Sequence, residues 1–163
     1  PPPQYISGEV HYYLVQPYPL KIIAAKPQSV DLSDGRIVIA TRDINDPDRN
    51  KNLLTEWYRR QARLFFAERL AHCFPLIQHY GVPYPTLKIR LMKKRGGSCY
   101  AGGRINLTLR LIQAAIPYID YVIIHELCHL KEHNHGRAFY ELLDRLLPEW
   151  RRRRDELNRL EIV

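Results

Sequence analysis

Tyr118-Ile119-Asp120-Tyr121-Val122-Ile123-Ile124-His125-Glu126-Leu127-Cys128-His129-Leu130 decides how the rest of the chain is read. Ile119, Val122, Ile123, Leu127 and Leu130 recur at helical spacing, and Pro117 before them suits a helix's first turn. The pattern predicts a helix from Tyr118 to about His133. On it, His125 and His129 lie about 40° apart around the axis and about 6 Å along it, so two imidazoles can converge on one ion. Zinc accepts neutral imidazole nitrogen at about 2.0–2.1 Å. Glu126, turned about 100° from His125, borders such an ion without ligating it. There it can accept a proton from water that the ion acidifies. Chance would place His-Glu-x-x-His in roughly one to two per cent of shuffled chains of this composition, so the motif's position matters. It falls inside a segment that reads as a helix, with Val122, Ile123 and Ile124 to bury that helix.

A catalytic zinc needs a third protein ligand and an open position. His133 continues the four-residue series, but on an unbroken helix it lies about 12 Å beyond His125, too far to share its ion. His135 reaches the metal only if the helix breaks. Lys131-Glu132-His133-Asn134-His135-Gly136 supplies a break, since Asn134 tolerates left-handed geometry and Gly136 adopts it freely. His135 is the favoured third ligand, with Glu141 or Glu149 as the alternatives and His133 left on the surface.

Working outward, 163 residues favour one domain spanning 1–163, with an N-terminal β-hairpin region at 1–42 and a catalytic core at 50–163. Val10 to Val15 reads as a strand, Gln16-Pro17-Tyr18-Pro19 as a turn, and Leu20 to Ala24 as a returning strand. Asp34-Gly35 between Ser29–Leu32 and Arg36–Ala40 is a strong hairpin signal. A polar stretch, Asp43 to Asn52, closes this part. From Leu53 to Ile77 apolar residues recur at helical spacing until Gly81-Val82-Pro83. Leu87–Leu91 and Arg104–Leu109 alternate and read as an antiparallel pair, with Arg95-Gly96-Gly97-Ser98 as a tight loop between them. Helices follow over Arg137–Leu147 and Glu149–Glu161. Strands followed by helices, without βαβ alternation, give α+β.

Hydrophobic residues at 45% and charged residues at 26% describe a soluble globular chain and exclude disorder. No run reaches the roughly 18 apolar residues of a membrane helix. Pro1-Pro2-Pro3-Gln4 carries no signal-peptide pattern. Cys73, Cys99 and Cys128 are odd in number and scattered, so a cytoplasmic, reducing setting is expected. A net charge of +8 suggests attraction to polyanions, nucleotide or nucleic acid among them. Arg151-Arg152-Arg153-Arg154 contributes to it, as a solvated helix face or as a phosphate contact. Arg95, beside the backbone N–H groups of its glycine loop, is a substrate-binding candidate for a carboxylate or phosphate. Cys99 and Cys128 read as small buried residues, Cys128 close enough to the site to react when metal is absent. Asp120 or Asp144 could orient a ligand imidazole.

Tyr121 to Leu130, then Asn134-His135 and Phe139, resemble the YgjP-like metallopeptidase domain, a group related to the SprT-like zincins. The similarity runs upstream through Arg95-Gly96-Gly97-Ser98-Cys99 and Ile105-Asn106-Leu107, and downstream through Leu147-Pro148-Glu149-Trp150. It covers about 87 to 157 well and Gly8 to Leu20 loosely. Gly96 stands where the family usually has Trp, and Tyr140 where Trp is usual. The resemblance implies His125, His129 and His135 as ligands of Zn2+ or another divalent transition metal. It implies a small zincin-like fold: an antiparallel sheet packed on the motif helix, N-terminal β-hairpins and C-terminal helices. The expected function is zinc-dependent hydrolysis with Glu126 as general base, most simply of a peptide or protein by a monomer, the 104–109 strand aligning extended substrate. Hydrolysis of a nucleotide or other phosphate-containing substrate is the alternative within enzymes. A non-catalytic zinc or nucleic-acid-binding module is the alternative outside them.

Overall fold

A computed structural model describes residues 1–92, 96–100 and 102–160. The chain is α+β and divides into two compact units, Pro1–Gln61 and Ala62–Val163.

In the first unit, β1 (Val10–Tyr13), β2 (Gln16–Ala24), β3 (Ser29–Ser33) and β4 (Arg36–Thr41) form one sheet in the order β1-β2-β4-β3. β1 and β3 run antiparallel to their neighbours, while β2 and β4 pair in parallel. The Asp34-Gly35 hairpin forms as expected, with φ of 51° and 73°. The first turn does not. Leu14 and Val15 make it, at φ of 47° and 69°, and Gln16–Pro19 is strand. The prolines fit because of the ladder's period. Leu20 donates its N–H to Glu9 O at 2.9 Å, so every second residue of β2 faces β1, and Pro17 and Pro19 face away. Pairing with β4 begins only at Leu20, so neither ring removes a ladder bond.

Helix α1 (Pro47–Cys73) begins inside the stretch that reads as a polar closure. Asp46 Oδ1 accepts from Arg49 N at 3.1 Å, with Pro47 at the first helical position: a cap followed by a residue whose missing N–H costs nothing there. Leu54, Trp57 and Tyr58 of this helix are buried. The Trp57 ring lies 5.1 Å from Tyr13, and the Tyr58 hydroxyl donates to Tyr12 O at 2.6 Å.

In the second unit α1 continues with Phe66 and Leu70 buried, and Pro75 opens the short α2 (Pro75–Gln78). β5 (Thr86–Arg90), β6 (Gly97–Tyr100) and β7 (Arg104–Thr108) form a mixed sheet in the order β5-β7-β6. Two expectations are corrected here. β5 and β7 pair in parallel, Thr86 opposite Arg104, and the antiparallel partner of β7 is β6. Alternation carries no direction, whereas the stretch 91–103 is long enough for the crossover a parallel pair needs. The sheet on the motif helix is therefore mixed. Gly97 and Ser98 are strand and not loop, and Gly103, at φ 77°, takes the turn into β7. A 3-10 turn (Leu109–Gln113) leads to α3 (Ile116–Lys131), α4 (Arg137–Leu146) and α5 (Trp150–Arg159). α3 packs on β6, α4 and α5, with Ile119, Ile123 and Leu127 buried beneath it.

Candidate metal centre

α3 carries the motif because its apolar stripe faces the sheet and leaves His125 and His129 on the adjoining face. It ends at Lys131, earlier than the spacing predicts. Glu132 caps it in extended geometry, φ −124° and ψ 102°, while its N–H still reaches Cys128 O at 2.8 Å. Neither Asn134 nor Gly136 uses a left-handed conformation; Gly136 is extended, at φ −91°, and precedes α4. The break falls two residues before Asn134 and four before Gly136, the residues expected to make it, and it swings His135 back over α3.

Three imidazoles meet as a result. Ring nitrogens of His125, His129 and His135 all lie within 4.8 Å of one another. His135 Nε2 stands 2.6 Å from His129 Nε2 and 3.3 Å from His125 Nε2. Two lone pairs do not approach to 2.6 Å without a proton or a cation to share. Tetrahedral zinc, bound at about 2.0–2.1 Å, needs nitrogens about 3.3 Å apart, so one pair already has the spacing and the other must open. The donor set suits zinc.

His129 Nδ1 donates to Glu132 O at 3.2 Å, which leaves its Nε2 lone pair facing the group. Neither Asp120 nor Asp144 plays this part. Asp120 is held by Arg69, which donates Nε to Oδ1 at 2.9 Å and Nη2 to Oδ2 at 2.6 Å. Asp144 accepts from Trp150 Nε1 at 2.6 Å and from Arg151. Nδ1 of His125 is buried and has no hydrogen-bond partner among the described residues. Burial first, and then the neighbouring His129 and His135, hold the His125 imidazole down at about 4. His129 is lowered for the same two reasons, burial before the charge of His135. Near neutral pH both rings therefore keep the lone pair a cation needs.

Phe139 is the residue that motif reading misses. Fully buried on α4, it lies against all three imidazoles, at ring distances of 5.0, 4.4 and 4.9 Å from His125, His129 and His135. Its place four residues after His135, on the inner side of an amphipathic helix, was the available signal. His133 is exposed at the rim. Glu141 is exposed and pairs with Arg137, and Glu149 pairs with Arg153, so neither alternative third ligand joins the group.

Glu126 is 4% exposed and borders a cleft of about 680 Å3 that the three histidines also line. β6 forms the facing wall with Gly97, Ser98 and Cys99. The two glycines serve close approach, not a turn. A Cβ on Gly96 would stand 3.0 Å from a Val122 methyl. One on Gly97 would stand 2.9 Å from Glu126 Cγ and 2.9 Å from Asn106 O. Arg95 lies outside the described residues. Cys73, Cys99 and Cys128 form no disulfide among the described residues. Cys128 is fully buried, the small core residue its reading suggested, and burial, with the charge of Glu126 second, pushes its thiol up to about 12.

The fold, with a helix bearing two histidines beside a small mixed sheet, is zincin-like. The metallopeptidase zymogen abylysin of Pyrococcus abyssi superposes on 56% of this chain and 90% of its own, with a TM-score of 0.51 and 22% identity. The chain belongs to the YgjP-like metallopeptidase domain family, whose model matches residues 1–160. A UTP pyrophosphatase from Escherichia coli strain K12 is 31% identical over 64 residues. That match spans 39% of this chain and 38% of the relative. Family membership indicates a metal-dependent hydrolase. Among the described residues, no helix is long and apolar enough to cross a membrane.

Proposed function

We propose that this chain is a zinc-dependent hydrolase in which His125, His129 and His135 hold the metal and Glu126 is the general base. The observation that carries this reading is the convergence of three ring nitrogens on one point of a cleft whose wall includes a buried carboxylate. Bound there, a divalent ion would supply Lewis acidity, polarising the substrate oxygen and bringing the pKa of water toward neutrality. Glu126 accepts one proton as a water oxygen attacks the scissile carbonyl carbon, and returns it to the departing amine nitrogen as the C–N bond breaks. Its buried setting beside Gly97 restricts the carboxylate to a narrow range of positions, which suits a base that must act twice.

A peptide is the leading substrate class, and the sheet supports it. β7 cannot align extended substrate as the 104–109 alternation suggested, because it is the central strand, paired on both sides. β6 is the edge, and it lines the cleft, so a peptide can add beside it. The second reading, hydrolysis of a nucleotide phosphoanhydride, is favoured by the UTP pyrophosphatase relative and by the net charge of +8. In it the same base serves water attacking phosphorus, and a P–O bond breaks.

The test is Glu126→Gln in zinc-loaded protein, assayed on a peptide panel and on UTP. Turnover should fall by about 10²–10⁴, with zinc content unchanged. Full turnover by the variant sinks the assigned base. Which panel the wild type turns over separates the two substrate classes, and backbone N-methylation of a peptide beside its cleavage site should cost rate only in the first.

A further inference from the structure

We propose that Arg154 anchors an anion subsite in the cleft, taking an oxyanion group of the substrate: a phosphate if the substrate is a nucleotide, a carboxylate if it is a peptide. The idea rests on the cleft being the hydrolytic site and adds to it a recognition element on a different helix. The run Arg151-Arg152-Arg153-Arg154 is a single block of charge in the sequence, but α5 deals its four members to different tasks. Arg151 donates to Asp144 at 3.1 Å. Arg152 stands 4.0 Å from Glu156. Arg153 donates to Glu149 at 2.8 Å and to Pro117 O at 3.1 Å. Arg154 alone of the four lines the cleft, together with His125, His129 and His135.

Its engagements leave the guanidinium available. Arg154 Nε donates to the adjacent Asp155 at 3.1 Å, with both side chains about half exposed, and such a pair is weak. The guanidinium carbon lies over the Trp150 ring, 5.1 Å from its centroid, a contact with the face of the ring that does not use the N–H donors. Asn158, one turn further along α5, and Tyr121, one turn before His125, line the same cleft. Besides the glycines of β6, the cleft is thus lined by a cation and two neutral polar groups, and the planar guanidinium fork matches an oxyanion better than a point charge would.

The experiment compares full-length wild type with Arg154→Gln, Arg154→Lys and Arg151→Gln, each loaded with zinc and assayed for metal content. Arg151 makes a close control, since it carries the same charge on the same helix and also stacks on Trp150, at 4.4 Å, but does not line the cleft. Calorimetry measures binding of two probes: sodium pyrophosphate, and a Gly-Gly-Ala tripeptide against its C-terminal amide. Arg154→Gln should weaken the preferred probe roughly 10- to 100-fold. Arg154→Lys should weaken it a smaller ~3- to 10-fold, and Arg151→Gln less than about 2-fold. Dependence for pyrophosphate alone identifies a phosphate source, and dependence for the free-carboxylate tripeptide alone identifies a peptide carboxylate. Equal losses in Arg154→Gln and Arg151→Gln, no loss in either, or no binding of either probe overturns the proposal. Should Arg154→Gln fail to fold, unchanged binding by Arg154→Lys overturns it equally. Absence of zinc from wild type would instead strike the metal assignment, and the same comparison on metal-free protein still decides Arg154.

Discussion

Gly97 leaves no room beside the carboxylate it faces. A methyl group at that position would meet Glu126 Cγ at 2.9 Å and Oε2 at 3.1 Å, with the Asn106 carbonyl closing the other side. Gly97→Ala should therefore cost about 1–3 kcal/mol of stability by overpacking. It should also lower turnover by roughly 100-fold, because a base displaced by an ångström is badly placed. Zinc content should not change, and a variant with normal kcat would show that the contact is irrelevant to the base. His125 carries a second prediction, for the metal-free protein. Its folded pKa of about 4 lies below the ordinary 6.5, so between those values the unfolded chain binds more protons than the folded one. Stability is thus full above about 6.5 and lost as pH falls toward 4, by on the order of 3 kcal/mol. Denaturant melts from pH 7.5 to 4.5 should show this slope, and His125→Gln should flatten it; an unaltered slope in the variant would rule His125 out as its source. The motif histidines and Glu126 were legible because a helix period fixes their angles. Gly97 was not, since nothing local says which strand will crowd a helix, and Phe139 could be read only as an apolar residue on the inner side of its helix, not as the ring beneath the ligands.

α1 and α3 are joined by the fork of Arg69 on Asp120, both largely buried. Side-chain hydrogen bonding to Asp120 is the largest of the influences that raise the Arg69 pKa, so the guanidinium stays charged throughout the working range. Removing one partner strands the other, and Asp120→Ala or Arg69→Ala should each cost about 2 kcal/mol. The double variant should cost less than the sum of the two, with the coupling read from a double-mutant cycle; strict additivity would mean that the pair contributes nothing jointly. α3 and the Asp34-Gly35 hairpin were readable because their signals are local. Strand direction was not: β5 and β7 alternate in the same way whether parallel or antiparallel, and β6 hides in a glycine-led segment that resembles a turn. The start of α1 was within reach through Asp46-Pro47, but the polar residues after it masked the cap. Leu14-Val15 gives no sign of a positive-φ turn, since neither residue favours one.

Across the molecule, the second unit holds an apolar core that does not depend on a metal: Ile105, Leu107, Ile119, Ile123 and Leu143 are all fully buried. Stripping the ion with a chelator should abolish hydrolysis while leaving the far-UV circular dichroism intact, and zinc should restore the rate. Unfolding on chelation would instead mark a structural metal. The hydrolase class follows from the motif and the family, whereas the surfaces proposed to bind substrate are gathered from α5 and β6, far apart in the chain, and a linear reading could only propose Arg95 or a basic run without dividing its members. One small device governs whether the centre exists at all. Glu132 stops α3, and its carbonyl receives the His129 N–H, while the same departure from the helix returns His135 to the other two rings. Extending α3 by a single turn would misdirect one imidazole and carry another away together. His129 and His135 are therefore placed or lost together, and His125 alone cannot hold the ion.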